Sequence, residues 1–278
     1  MRTHRLKSTA ILIVLLSLIF FNTLNGQAKI EDAVLPNGRL IQINADSTWS
    51  EIPMLLTHIL GDGRRVNIFA NHTWRESKAS VRINGKDWST ANLNVSKFSN
   101  GDTIFYAKSS GDWKLADSLK IPAWCYYQFN QENESTYGKY YNGYAIEDAR
   151  NLAPAGWSVA NEYLIDQLIT FLGGASECAK KITSQEGWDV TNSKATNETG
   201  FSALPGGVLQ YDQGRRGAWR WQWSYEGSDA YFWAKTGAVP TVAGYNIQDG
   251  DHIGKMNQNA RPIEHFKGYG MNVRIVKN

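Results

Sequence analysis

A segment of seventeen residues occurs twice near the start of the chain, and this repeat strongly constrains the local fold. Residues 35–51 align with residues 60–76 at an offset of 25 without a gap, and eight of the seventeen positions are identical. Each copy opens on a turn dipeptide, Asn37-Gly38 or Asp62-Gly63, that tolerates positive φ. Apolar strand-like residues and a Thr-Trp pair follow, which predicts a β-hairpin in each copy. We therefore expect residues 29–78 to form a small all-β double-hairpin appendage.

The first 28 residues have the pattern of a secretory signal. Basic residues precede an apolar stretch over 10–21, and Gly26-Gln27-Ala28 offers small residues for cleavage after Ala28. Twelve helical residues span about 18 Å, too short for a bilayer core of about 30 Å, although an uncleaved anchor is the alternative. The pattern predicts an exported protein that is periplasmic, at the cell surface or extracellular, with no membrane span after signal removal.

The charge balance argues against nucleic acid as a partner. The formal charge of +3 comes from three basic residues within 1–28, and their removal leaves 26 basic residues against 26 acidic ones. Proteins that bind phosphate backbones need a net basic surface or a basic stripe, and the sequence contains no such run.

The remaining residues, 79–278, read as an α+β domain with few helices and many short strands and loops. Ser80 to Ile83 and the following Asn84-Gly85 indicate another hairpin. A helix capped by Asn161 is predicted, with Leu164, Leu168, Phe171 and Leu172 on its apolar face and Gly173-Gly174 ending it, and a shorter helix spans about Glu177 to Ile182. Gly270 to Val276 is predicted as a terminal strand.

Cys125 and Cys178 are the two cysteines, and they either pair or lie buried separately as small hydrophobes.

Several distinctive segments follow one another along residues 81–278. They are Ile83-Asn84-Gly85-Lys86-Asp87-Trp88, Ala91-Asn92-Leu93-Asn94-Val95, Pro122-Ala123-Trp124-Cys125-Tyr126-Tyr127, Tyr137-Gly138-Lys139-Tyr140-Tyr141-Asn142, Leu152-Ala153-Pro154-Ala155-Gly156-Trp157, Leu172-Gly173-Gly174 and the block from Ala195 to Gly207. In this order they resemble the anchoring segments of a bacterial family, the Fibrobacter succinogenes major paralogous domain.

The resemblance implies an exported protein with a C-type-lectin-like architecture. In that architecture the first and last strands pair, here the Val81 strand with Gly270 to Val276, and a loop-rich face carries binding. The family has no established general activity, and carbohydrate binding or adhesion is an expectation from the fold. The chain departs from the family where Ile275, not a cysteine, follows Val273-Arg274, and residues 208–266 match least well. We take 208–266 as the variable face.

No catalytic residues are predicted. The sequence lacks the nucleophile-elbow, zinc-protease and phosphate-loop motifs. Glu162 and Asp166 share a helix face but are interpreted as solvated. The loop with Asn246, Asp249, Asp251 and His252 carries oxygen ligands at intervals that suit calcium. Its spacing does not match an EF-hand, and the sequence lacks the Glu-Pro-Asn and Trp-Asn-Asp motifs of calcium-dependent lectin sugar sites. No cofactor is therefore assigned, with calcium as an open possibility.

Aromatic residues are the best candidates for ligand contacts, because flat rings stack on the apolar faces of sugars. Trp219, Trp221, Trp223 and Tyr225 alternate with other residues as on a strand, and such one-sided rows usually face the core. Tyr231, Phe232 and Trp233 are consecutive and cannot all face one side, so we expect at least one to be exposed or to cover a loop. The predicted ligand-binding residues are Tyr225, Tyr231, Trp233, Tyr245, Asp249, Asp251 and His252.

The sequence thus favours an exported, non-enzymatic binding protein. Its partner would be a polysaccharide, a glycan or a surface protein. The alternatives are a structural or adhesive component of the cell envelope and a cryptic polysaccharide hydrolase.

Overall fold

The computed structural model divides the chain into two compact units, Met1–Ser77 and Lys78–Asn278. In the first unit it describes the strands given below. In the second it describes residues 79–189, 194–213, 218–236, 242–248, 251–256 and 263–278. Of the predicted signal, 1–28, it describes His4 and Arg5.

The described residues of the first unit form antiparallel strands, as the repeat predicts. One sheet has the order β1-β4-β3-β2, with β1 His4–Arg5, β2 Glu31–Val34, β3 Leu40–Ile43 and β4 Thr48–Ile52. A second sheet has the order β5-β6-β7, with β5 Met54–Ile59, β6 Arg65–Phe69 and β7 Trp74–Glu76. Each copy contains its predicted strand pair, and an upstream strand, β2 or β5, extends each pair to a meander.

The second unit contains two small sheets. The first has the order β13-β20-β9-β8, with β8 Ser80–Ile83, β9 Lys86–Ser89, β13 Trp157–Val159 and β20 Ile275–Lys277. The second has the order β10-β11-β12, with β10 Phe105–Tyr106, β11 Ala123–Tyr126 and β12 Lys139–Tyr141. The predicted hairpin is confirmed, because Asn84 and Gly85 both have positive φ in the turn between β8 and β9.

The largest sheet holds the region that matches the family least well. Its order is β15-β14-β16-β17-β18, with β14 Gly206–Gln213, β15 Trp219–Glu226, β16 Asp229–Lys235, β17 Val242–Gln248, β18 His252–Lys255, and β19 Asn272–Val273 beside β16.

The mixture of sheets with helices agrees with the α+β prediction. In the described part of the second unit, the helices are α1 Ser110–Leu119, α2 Glu134–Tyr137, α3 Gly143–Glu147, α4 Glu162–Phe171 and α5 Ala175–Ile182, and 3₁₀ turns span Tyr127–Phe129, Gln131–Asn133 and Ile263–Gly268.

Helix α4 confirms the predicted cap but not the whole predicted apolar face. The Asn161 side chain accepts a hydrogen bond from the Leu164 amide, and Gly173 and Gly174 follow the helix with positive φ. Ile165 and Leu168 face the core, whereas Phe171 is exposed. The spacing of Phe171 fits the helical period, but the buried face follows Ile165, Leu168 and Leu172, which leaves Phe171 at its edge.

The Asn161 cap leads to a stability prediction. Replacing Asn161 by Ala leaves the Leu164 amide without its side-chain acceptor, which costs about 1 kcal/mol of unfolding free energy. Asn161→Ser retains a capping oxygen and should lose only a small part of that. Urea denaturation of both variants checks this, and equal losses for Ser and Ala would contradict a capping role.

The central strand β16 is covered on both faces. Tyr231 and Trp233 belong to one apolar cluster with Leu209 and Met271, whereas Phe232 belongs to another with the buried residues of α4 and α5. Because successive residues on a strand point to opposite faces, only a sheet buried on both sides can bury all three aromatic residues.

The chain end closes the domain differently from the expectation. Val276 of β20 pairs with Trp88 of β9, so the last strand joins the β8–β9 hairpin through β9 and not through the Val81 strand. The predicted strand over 270–276 is also divided at Arg274, which separates β19 from β20.

Arg274 is buried and connects three parts of the sequence. Its guanidinium donates to Asn92 Oδ1 at 2.9 Å, to the carbonyl of Ser89 at 2.8 Å, and to the carbonyls of Phe201 and Ser202 at 2.8 and 3.0 Å. The Phe201 ring lies 4.4 Å from Cζ. The Ala195-to-Gly207 block is therefore a structural partner of the terminal Val-Arg pair.

The two cysteines lie buried in different clusters and do not pair. Cys125 belongs to the cluster with Trp233, and Cys178 of α5 to the cluster with Phe232. Burial raises the pKa of the Cys178 thiol to about 12, which keeps it in its unreactive form. Of the two alternatives, the structure supports separate small hydrophobes.

Among the described residues, no helix combines the length and apolarity needed to cross a membrane.

Candidate functional site

The row of aromatic residues on β15 is buried in the middle and exposed at both ends. Trp221 is buried and Trp223 is partly buried, in edge-on contact with the rings of Tyr127 and Tyr140. Trp219 is 47% exposed and Tyr225 43% exposed. The core interpretation thus holds for the centre of the row and is wrong for its two ends, because the covering elements stop short of them.

At the Trp219 end, aromatic rings form a continuous surface. Tyr211 of β14 lies opposite Trp221 and diagonally opposite Trp219, so all three side chains share one face of the ribbon. The rings of Tyr211 and Trp219 are stacked, with centroids 5.7 Å apart and an interplanar angle of 23°. We call Tyr211, Trp219 and Trp221 the Trp219 platform. The exposed ring of Trp219 is a flat apolar surface available to a ligand.

A histidine paired with a carboxylate borders the Trp219 platform. The His265 ring lies 4.3 Å from that of Tyr211, and its Nδ1 is 2.9 Å from Oδ2 of Asp117, which is buried in the last turn of α1. The pair requires Gly268, since a Cβ there would lie only 2.2 Å from Oδ1 of Asp117. The His265 side chain is 32% exposed, so the imidazole can contact both Asp117 and a ligand.

Tyr144 completes the polar edge. Its hydroxyl donates to Oδ1 of Asp117 at 3.4 Å, and burial together with the neighbouring Asp117 raises the pKa of Tyr144 to about 12. The phenol therefore stays protonated and remains a donor. Nearby, Lys267 forms an ion pair with Glu147 at 2.8 Å. The Trp219 platform thus has hydrogen-bonding groups along one side, which suits a ligand with both apolar and polar faces.

The Tyr225 end carries a smaller polar cluster around a buried carboxylate. Tyr225 has a φ of +63°, and its ring lies 5.9 Å from that of Tyr231. The Asp229 carboxylate accepts hydrogen bonds from Tyr231, Ser228 and, at 3.4 Å, Asn246. The carboxylate oxygens of Asp229 accept hydrogen bonds from the protein itself. A ligand at this end would therefore contact mainly the Tyr225 ring.

Three of the predicted ligand-binding aromatics are core residues. Trp233 is fully buried and donates from Nε1 to the carbonyl of Tyr141 at 2.7 Å. Tyr245 is buried and donates to Asp166 at 3.0 Å, and Tyr231 is also buried. The prediction that one of the consecutive residues 231–233 is exposed is wrong, because β16 is the central strand of a sheet covered on both faces.

The described members of the predicted polar loop, Asn246, Asp251 and His252, are not brought together as a ligand set. Asp251 forms an ion pair with Lys194 at 2.9 Å, His252 is exposed at the start of β18, and Asn246 is buried beside Asp229. Asp249 lies outside the described residues. Within the described ranges, no three His, Cys, Asp or Glu side chains are grouped so that they could hold a metal ion.

The carboxylates of α4 have structural partners. Glu162 forms an ion pair with Lys255 of β18, and Asp166 accepts from Tyr245 of β17. Both contacts connect the helix to the sheet.

A cavity of about 20 Å³ lies in the core beneath α4, lined among others by Trp88, Phe232 and Ile253. It holds about one water molecule, far less than a sugar requires.

Sequence reasoning missed Tyr211, His265 and Asp117. Their sequence separations are large, 148 residues between Asp117 and His265, and no local motif joins them. Trp219 carried a signal, as the end residue of a row that extends towards a loop.

Comparison with known proteins identifies the second unit. The profile of the Fibrobacter succinogenes major domain matches residues 81–277. Neither a curated protein nor a solved structure matches the chain. Since the profile covers well over half of the sequence, and its anchoring segments supply the framework around Arg274 and β12, the chain belongs to the Fibrobacter succinogenes major domain family.

Proposed function

We propose that this protein is an exported, non-enzymatic binding protein that recognises a polysaccharide or glycan on the Trp219 platform. The observation that carries the proposal is the half-exposed Trp219 ring, stacked on Tyr211 and bordered by His265. An exposed flat ring provides apolar contact at little entropic cost, and the adjoining imidazole supplies a hydrogen bond that orients the ligand. The signal-like start of the sequence supports export.

We further propose a C-type-lectin-like architecture for the second unit. Two observations support it: the last strand, β20, lies beside the β8–β9 hairpin that opens the unit, and the aromatic surface belongs to the sheet with the variable segments. In this arrangement the framework of the fold and the ligand surface are built from different parts of the sequence.

A binding panel tests the proposed function. The purified full chain is applied to neutral and acidic polysaccharides and glycans, once with calcium and once with a chelator, and product formation is measured in parallel. We expect saturable retention that persists with chelator, because stacking and hydrogen bonding on the Trp219 platform use no metal. Loss with chelator would instead favour the loop from Asn246 to His252. Released product would contradict a non-enzymatic role, and absence of binding would favour a protein partner.

A further inference from the structure

Asn94, Glu134 and Lys139 form a compact triad remote in sequence from the Trp219 platform. Lys139 Nζ donates to Asn94 Oδ1 at 2.5 Å and to Glu134 Oε1 at 2.8 Å. Asn94 Nδ2 donates to the same Glu134 oxygen at 3.0 Å. One carboxylate oxygen therefore bridges an amine and a primary amide, which are themselves in contact.

The two segments that carry the amine and the amide are held together by backbone contacts. The Asn92 side chain donates to the carbonyl of Tyr137 at 2.9 Å, and the Lys139 amide donates to the carbonyl of Leu93. Gly138 permits this approach, because a Cβ there would lie 3.2 Å from the carbonyl oxygens of Asn92 and Leu93. The triad is thus positioned by the fold and not by its own side chains alone.

The amine lies in an aromatic environment with little water. The Lys139 side chain is 6% exposed, and Nζ is 4.6 Å from the ring centroid of Trp124 and 5.1 Å from that of Tyr126. Tyr126 also donates to the second oxygen of Glu134 at 3.1 Å. Burial raises the pKa of Glu134, but hydrogen bonds from Lys139, Asn94 and Tyr126 outweigh it and hold the pKa below its ordinary value. Glu134 is accordingly ionised, and its Oε1 lies 2.8 Å from Nζ, within direct proton-transfer distance of the amine.

The amine is within reach of the amide carbon. Since a carbonyl bond is about 1.23 Å long, Cγ of Asn94 lies no more than about 3.7 Å from Nζ. Reacting atoms held at roughly 3–3.5 Å by a rigid scaffold react with greatly increased effective concentration.

We propose that Lys139 and Asn94 condense to an intramolecular isopeptide bond with Glu134 as the proton-transfer group. Glu134 takes one proton from the Nζ ammonium, and the freed lone pair of Nζ forms a bond to Cγ. Glu134 then delivers that proton to Nδ2 as the Cγ–Nδ2 bond breaks, and it takes up a second proton from Nζ. The products are a secondary amide, ammonia and protonated Glu134, which returns its proton to water. No oxidant or cofactor is needed.

The bond would close a loop between positions 45 residues apart. Such a link restricts the unfolded chain in the way a disulfide does, but it is insensitive to reductants. It would thus stabilise the second unit, whose two cysteines are free.

Mass spectrometry of the full chain under denaturing conditions tests the proposal. We expect an intact mass lower than the sequence mass by one ammonia, and a proteolytic fragment in which the peptides containing Asn94 and Lys139 are joined. Glu134→Gln removes the proton-transfer group at constant shape, and Lys139→Arg retains the charge but not the primary amine. Both variants should show the full sequence mass and separate peptides.

The wild-type mass decides the question even where a variant fails to fold. A wild-type chain of full mass, with the two peptides separate after prolonged incubation of the folded protein, would overturn the proposal and leave a hydrogen-bonded ion pair only. A joined fragment that still forms in Glu134→Gln would overturn the role of Glu134.

Discussion

Replacing Arg274 by Ala should destabilise the second unit by about 3–5 kcal/mol, because each buried hydrogen-bonding group that loses its partner costs about 1–3 kcal/mol. The substitution leaves Asn92 Oδ1 and the carbonyls of Ser89, Phe201 and Ser202 without the guanidinium that they share. It also opens a void beside the rings of Phe201 and Phe232. Because domains of this size are stable by roughly 5–15 kcal/mol, much of the fold stability depends on this residue.

An exposed arginine provides the matched control. Arg82 forms an ion pair with Asp87 at 3.1 Å, but its side chain is 70% exposed, so Arg82→Ala should change stability by less than about 1 kcal/mol. Arg274→Lys should also destabilise, since an ammonium cannot reproduce the planar fork that reaches acceptors on separate segments. Urea denaturation followed by tryptophan fluorescence measures all three variants. Equal urea-unfolding midpoints for Arg274→Ala and Arg82→Ala would show that the buried hydrogen bonds of Arg274 contribute little to the stability of the second unit.

The second large effect is expected in binding. Trp219→Ala removes the exposed ring of the Trp219 platform and should weaken glycan affinity by about 30-fold or more, as truncation of a central aromatic contact costs about 2 kcal/mol or more. The Trp219 side chain is 47% exposed, and its ring is stacked on that of Tyr211. Its removal should therefore leave nearly all of the fold stability. Isothermal titration with a polysaccharide retained in the panel gives the affinity ratio.

Phe171→Ala is the control for nonspecific apolar effects. Phe171 is 59% exposed on α4, on a different element from the Trp219 platform, and its removal should leave affinity unchanged. Trp219→Phe retains a smaller flat ring and should give an intermediate affinity. If Phe171→Ala weakens binding as much as Trp219→Ala, the Trp219 platform is not the site.

The elements with strong local signals could be predicted from sequence. The capped helix after Asn161 and the Asn84-Gly85 hairpin are both present, because side-chain capping and positive-φ turns are decided by neighbouring residues. Pairing of the last strand with β9 could not be deduced from spacing, since register between distant segments depends on tertiary packing. The exposed Phe171 shows the same limit at the scale of one helix turn.

Burial in the large sheet explains why the predicted site and the observed surface differ. Tyr231 and Trp233 were expected to contact ligand because three consecutive aromatics cannot share one face, and this reasoning assumed a sheet with one solvent face. With both faces covered, the strand buries all three. Tyr225, which was also predicted as a ligand contact, is 43% exposed. His265 and Asp117 carry no local signal, because only the tertiary fold brings them together.

The most direct measurement follows the indole N–H resonance of Trp219 by NMR while a retained glycan is titrated into the full chain. Trp219→Phe assigns the resonance by its disappearance. Our account predicts a saturable shift of this signal, with the signals of the fully buried Trp113 and Trp233 nearly unchanged. Saturable glycan binding that leaves the Trp219 resonance in place would contradict the assignment of the ligand surface to the Trp219 platform.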